Sequence, residues 1–193
     1  MSKKIVFDVD DILWPLNKRV AERTGVDFNK LCTFSIFENP LLSESEKERV
    51  LKAYGDSNIF KNITWYSGAE KIMALEKYGV RVYINSNCYQ KEIADLKYDQ
   101  IHKLVDIPDS QLILNVFDIN LEGHKKKEIG ENVLAFIDDS PHNLMAARAE
   151  SLYTLNRPWN MTVSELNNIN IKRFNTLDEI INDLDHKLSA ESK

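Results

Sequence analysis

The sequence predicts an α/β fold, an open parallel sheet with helices on both faces and a small helical cap inserted after the first strand. Five short runs rich in Val, Ile, Leu and aromatics recur along the chain, and stretches with helical patterning lie between them. One interval, about 70 residues long, holds no convincing strand and is too long for a single crossover helix. The runs are residues 4–9 (KIVFDV), 80–84 (VRVYI), 112–116 (LILNV), 133–137 (VLAFI) and 152–155 (LYTL), with the composition of strands covered on both faces.

The helices carry their own start and stop signals. Ser67 with Glu70 is a capping-box pattern ahead of residues 68–78, which place Ile72, Met73 and Leu75 on one side and stop at Gly79. Thr176 with Glu179 opens the last helix in the same way, and Ile180, Ile181, Leu184 and Leu188 supply its buried stripe. Pro141 suits a first helical turn, so a helix is expected from there to about Glu150. In the long interval, LNKRVAERTG reads as a helix ended by Gly25, and SESEKERVLKAYG as a second, capped by Ser43 and Glu46 and ended by Gly55. The expected division is a core of residues 1–14 and 67–188, a cap of residues 15–66 and a frayed tail, 189–193.

Composition removes several classes of function. With 193 residues and 43% hydrophobic content the chain can bury a substantial core. A net charge of −5 and no basic run longer than KKK at 125–127 argue against binding duplex nucleic acid. No apolar stretch approaches the roughly 18 residues of a membrane span, and Asp8 and Asp10 interrupt any signal-peptide core, so a cytoplasmic protein is expected. Cys32 and Cys88 stand alone, without the spacing of a zinc knuckle or a disulfide framework. His142 follows Pro141 at an exposed helix start, and the other histidines have no ligand spacing. The GxxxxGK[ST] phosphate loop of ordinary kinases is missing.

Ligands of open α/β sheets bind at the carboxyl edge of the strands, and three runs end there in reactive side chains. The first delivers Asp8, Asp10 and Asp11; the second Asn85, Ser86 and Asn87; the fourth Asp138 and Asp139, with Lys125, Lys126 and Lys127 shortly upstream. Carboxylates converging at one spot repel unless a cation holds them, and a hard ion with oxygen ligands, Mg²⁺, suits Asp8, Asp10 and Asp138. An EF-hand is excluded, because counting from Asp8 puts Leu13 and Arg19 where Gly and Glu are needed. A carboxylate beside a phosphoryl group can attack it in line, which suits Asp8 as nucleophile. Asp10, two residues on and on the same side under strand alternation, can protonate the leaving alkoxide and later deprotonate water. Ser86 and the backbone N–H of Asn87 offer donors to phosphoryl oxygens, and a lysine, Lys127 in preference to Lys125, neutralises remaining charge.

In that order, FDVDDILW, INSN, a lysine and FIDDSPHN resemble the four motifs of the haloacid dehalogenase superfamily of aspartyl-phosphate phosphatases. The resemblance covers residues 4–14 and about 68–155. It implies a Rossmann-like fold, Asp8 as nucleophile, Asp10 as acid/base, Ser86 on the phosphate and Asp138 on Mg²⁺. Asp10 fills the position that marks the phosphatases and that dehalogenases lack. Asp11 stands where the family has Gly, either adding a carboxylate to the metal shell or, as favoured here, facing solvent.

Within the superfamily the layout is similar to the 5'(3')-deoxyribonucleotidase branch, through the cap after the first motif, the segment IFKNITWYSGAEKIMALEKYGVRVYINSN, and LNRPWN ahead of a last helix. That likeness implies nucleoside 5'-monophosphates as substrates, deoxy forms leading, with the base held by cap aromatics. Trp14, Phe34, Phe37, Trp65 and Tyr66 are the candidates, because a flat apolar face is what a base stacks upon. A phosphatase for a sugar phosphate or phosphoglycolate, and a catalytically silent binding protein of the same fold, are the alternatives. A phosphoacceptor signalling domain does not accommodate the long insertion.

Overall fold

The computed structural model describes residues 2–62, 64–116, 129–161 and 169–191. Its centre is a six-stranded, all-parallel sheet of order β3-β2-β1-β4-β5-β6. The strands are β1 (Lys4–Phe7), β2 (Arg81–Cys88), β3 (Leu112–Val116), β4 (Val133–Ile137), β5 (Ala149–Leu155) and β6 (Ile171–Phe174). The helices are α1 (Leu16–Thr24), α2 (Glu44–Tyr54), α3 (Lys91–Leu104), α4 (Pro141–Ala146) and α5 (Leu177–Glu191). Short 3-10 segments, Phe28–Lys30 and Ser57–Phe60, join α1 and α2 in the insertion between β1 and β2.

Strand alternation divides the core into two. Ile5 and Phe7 point into the larger apolar cluster with Ile72 and Leu75, Ile93 and Ile101 of α3, and Ile180 and Leu184 of α5. Val6 points the other way, into a smaller cluster with Val133, Phe136 and Leu144 of α4. With both faces covered, the central strands can be apolar throughout, and β4 is buried at all five positions. The strand order turns about β1, with β2 on one side and β4 on the other, and such sheets hold ligands at the carboxyl edge of that switch point.

Three helix starts match their sequence signals, Pro141 opening α4 as its first residue. Ser43 Oγ accepts from Glu46 N while Glu46 Oε2 accepts from Ser43 N, and Thr176 and Glu179 make the same reciprocal pair. The Ser67 start does not form. Residues Ala69–Tyr78 are a 3-10 helix whose cap is Gly68, at φ 95°, and Glu70 accepts from Gly68 N instead. The reason is the approach of α5: Asp178 accepts from the Ser67 side chain, and a Cβ on Gly68, already at positive φ, would lie 2.9 Å from Asp178 Oδ1 and 3.1 Å from Ile181 Cδ1.

Element boundaries also differ from the sequence reading, and β1 ends at Phe7 rather than at residue 9. β2 continues through Cys88, because β3 pairs with it from Ile84↔Leu112 to Cys88↔Val116 and Asn115 Nδ2 donates to Asn85 and Asn87 side chains at 2.9 and 3.3 Å. α4 ends at Ala146 and β5 begins at Ala149, three residues earlier than its apolar run. β6 is an edge strand of alternating, half-exposed IKRF, too polar to stand out in sequence. α5 runs on to Glu191, into the expected tail. No helix among the described residues is long and apolar enough to cross a membrane, and neither Cys32 nor Cys88 is in a disulfide.

Candidate active site

β1 hands the chain directly to the acids. Asp8 N still donates to Ile137 O of β4 at 2.8 Å, after which the chain turns: Leu13 N and Trp14 N both donate to Val9 O, at 2.9 and 3.2 Å, and Asp11 N donates to Trp14 O at 2.8 Å. This turn ends the strand alternation expected to carry Asp8 and Asp10 to one place. Asp8 turns towards β4 and Asp10 towards β2.

The three carboxylates that converge are Asp8, Asp138 and Asp139, each buried, with one oxygen from each lying within 4.8 Å of the others. Of the acids expected from sequence to hold the cation, Asp8 and Asp138 lie in this cluster with Asp139, while the Asp10 carboxylate lies against Trp14 and Lys97. Asp138 accepts from Ser140 N at 2.8 Å and from Asn143 Nδ2 at 3.1 and 3.2 Å. Asp139 accepts from Trp159 Nε1 at 2.7 Å. An all-oxygen donor set this close fits a hard divalent cation.

Asp10 accepts from Trp14 Nε1 at Oδ1, 2.7 Å, and from Lys97 Nζ at Oδ2, 2.6 Å. The same Lys97 ammonium donates to Ser86 Oγ at 2.9 Å and lies 3.5 Å from Asn87 O. Lys97 is 1% exposed, sits on the buried face of α3, and lies over the Phe60 ring at 5.4 Å. Burial works against its charge, but the facing Asp10, with Cys88 and Asp8, overcomes that cost and raises its pKa above the ordinary lysine value. Lys97 thus ties the second acid of β1 to the hydroxyl of β2.

Sequence reading missed this lysine. Lys125, Lys126 and Lys127 lie outside the described residues. A signal for Lys97 exists: it falls four residues after Ile93 and four before Ile101, on the apolar stripe of α3 where a solvated lysine has no place.

Asp11 does not face solvent. It is buried at φ 57°, its carboxylate accepts from Asn17 N at 3.0 and 3.3 Å, and its carbonyl accepts from Arg157 Nε and Nη2 at 3.3 and 2.8 Å. Burial pushes its carboxyl up to about 8, against the Arg157 charge and the Asn17 N–H that pull it down. Tyr54 of α2 donates to the Asn17 side chain, linking the insertion to this turn.

The aromatic candidates separate. Trp14 is fully buried, 4.7 Å from Trp65 and 6.3 Å from Phe60 between ring centroids, and its N–H is committed to Asp10. It has no face to offer a base, and its candidacy is withdrawn. Trp65 is half-buried against it, and Tyr66 lies beneath the Arg157 guanidinium at 5.1 Å. Phe34, 38% exposed, meets His142 edge-on at 5.9 Å, beside the acids of β4, while Phe37 is 74% exposed.

No family model matches the chain, and no curated protein matches it in sequence. Solved structures do resemble it. One is a HAD hydrolase of family IA, variant 3, from Entamoeba histolytica, at 16% identity over 98% of this chain and 100% of that one, TM-score 0.54. Another, from Lactobacillus plantarum, is assigned as a phosphoglycolate phosphatase, at 16% identity over 95% and 100%, TM-score 0.53. A third, from Bacteroides vulgatus, is assigned as a β-phosphoglucomutase, at 13% identity over 97% and 90%, TM-score 0.55. At these identities the likeness is one of fold, and the fold is that of the haloacid dehalogenase-like hydrolases.

Proposed function

We propose that the protein is a Mg²⁺-dependent phosphomonoester hydrolase that works through an aspartyl phosphate on Asp8, with nucleoside 5'-monophosphates as its substrate class. The observation that carries the reading is the meeting of Asp8, Asp138 and Asp139 at the carboxyl edge of the sheet, with Asp10, Lys97 and Ser86 joined by hydrogen bonds alongside. Asp8, Asp138 and Asp139 would hold the cation, which supplies positive charge against the phosphoryl oxygens.

Asp8 attacks phosphorus: its oxygen forms the new P–O bond as the bond to the leaving oxygen breaks, and Asp10 gives that oxygen a proton. Water then attacks phosphorus, Asp10 takes its proton, and the Asp8–phosphorus bond breaks. Both Asp10 oxygens accept hydrogen bonds as found, which suits the carboxylate form needed in this second half. A phosphoryl group that draws Lys97 to its own oxygens frees Asp10 Oδ2 for the proton needed in the first half. Ser86 Oγ, and Asn87 beside it in β2, complete the phosphate side. The insertion limits access to small phosphoesters, and Phe34, Phe37 and Trp65 are the aromatics left for a base.

A second reading, a phosphatase for a small non-nucleotide phosphoester, is favoured by the enclosure of Trp14 and by the fold shared with proteins assigned to phosphoglycolate and phosphoglucose chemistry. Phosphate release from dUMP, dTMP, UMP, glucose 6-phosphate and phosphoglycolate, measured side by side with Mg²⁺ and with EDTA, tests both. We expect release that EDTA abolishes and excess Mg²⁺ restores, with the nucleotides ahead of the other phosphoesters by the roughly 1–3 kcal/mol of a stacked base and the deoxy forms leading among them. A lead of about tenfold or more for a non-nucleotide, some 1.4 kcal/mol, would leave the phosphatase reading standing without the nucleotidase one. Full activity in EDTA would remove the metal.

A further inference from the structure

The acid loops after β1 and β4 are both tied to one short segment after β5. Arg157 donates through Nε and Nη2 to the Asp11 carbonyl, and Trp159 donates through Nε1 to Asp139 Oδ2. Asn160 Nδ2 donates to the Asp139 carbonyl at 3.1 Å while also bonding Thr154 Oγ1 and Leu155 O at 3.2 and 3.0 Å. Asp139 is thus held at its side chain by one residue of the segment and at its main chain by the next. Trp159 is 2% exposed, with Phe28 of the insertion edge-on at 6.0 Å, so the indole has little room to move.

We propose that Trp159 is a positioning residue for Asp139: its indole N–H fixes the angle at which that carboxylate meets Asp8 and Asp138. The inference rests on the cation-binding reading above. An indole N–H is only a donor and needs an acceptor when buried; a carboxylate on a short side chain otherwise turns freely about χ2. With Oδ2 held by the indole and the carbonyl by Asn160, Asp139 is oriented before any cation arrives, and binding does not have to order it. A hydrophobic filler at position 159 would supply the packing without this orientation.

Trp159→Phe keeps an aromatic ring for Phe28 and removes the N–H. Mn²⁺ binding, followed by the electron paramagnetic resonance of the free ion and needing no turnover, should weaken about 10–100-fold. In an Asp139→Asn background, where the carboxylate is already gone, the same change should cost no more than about twofold, because Trp159 acts through Asp139. Phe28→Leu, which loosens the same packing and spares the N–H, should lower Tm and leave Mn²⁺ affinity within about twofold. If Trp159→Phe does not fold, 3-benzothienylalanine at position 159, with sulfur in place of N–H in the same ring shape, gives the same comparison. Unchanged affinity on loss of the N–H, an equal loss in the Asp139→Asn background, or an equal loss from Phe28→Leu would each overturn the assignment. Failure of the native protein to bind Mn²⁺ would overturn the cation reading itself and this inference with it, and is told apart because it needs no variant.

Discussion

Asp8→Asn should lower turnover of a phosphomonoester by about 10³ or more while making the metal-free protein harder to unfold. The amide keeps the shape of the side chain and removes the attacking oxygen's charge. It also removes one of three carboxylates with oxygens within 4.8 Å of one another, a crowding that the unfolded chain never had. For a chain of this size each kcal/mol relieved raises Tm by about 2–4 °C. A steady-state assay with p-nitrophenyl phosphate and a thermal melt in chelator read the two effects on one preparation. Near-native turnover would remove Asp8 from the chemistry. Lost turnover with a lowered Tm would mean that Asp8 is held by donors strong enough to outweigh the repulsion.

Lys97→Met should be the most destabilising single change at the site, by about 3–5 kcal/mol, or a Tm fall of roughly 6–20 °C. Methionine matches the length of the lysine stem, so α3 keeps its packing against Phe60. What is lost is the cation between Asp10 and Ser86, and among the described residues Asp10 keeps only the Trp14 N–H as a hydrogen-bond donor. Adding Asp10→Asn to Lys97→Met should recover part of the loss, since replacing both partners leaves no unpaired charge. Urea unfolding of the four proteins gives the coupling. Additive losses would mean that the 2.6 Å contact between Nζ and Oδ2 is not a working ion pair.

The sheet and the acids were legible in sequence for a common reason. Parallel strands buried on both faces must be apolar runs, and acids stationed where such runs stop are conspicuous, so β1 with Asp8 and β4 with Asp138 and Asp139 stand out locally. Other parts of the site depend on distant residues. That Asp10 leaves the acid cluster follows from the turn closed on Val9 O and from a lysine 87 residues away. The pairing of Asp139 with Trp159 spans 20 residues and needs the segment after β5 to come back over the sheet edge. Trp14 reads as a ring available to a ligand until the turn folds it inward against Trp65. The Gly68 cap is invisible to a local rule because α5, more than 100 residues on, takes through Asp178 the Ser67 hydroxyl that the capping box needs.

The most direct test of the account is to catch the phosphoryl group on the protein. The native chain, mixed with Mg²⁺ and an excess of the best substrate from the panel, is quenched in acid within the first turnovers, and its peptides are weighed. An acyl phosphate survives acid and is cleaved by hydroxylamine, so the account predicts one phosphoryl mass on the peptide carrying Asp8, lost on hydroxylamine treatment and never formed in Asp8→Asn. Rapid substrate turnover with no such adduct on the Asp8 peptide at any quench time, or with the adduct on another residue, would contradict it.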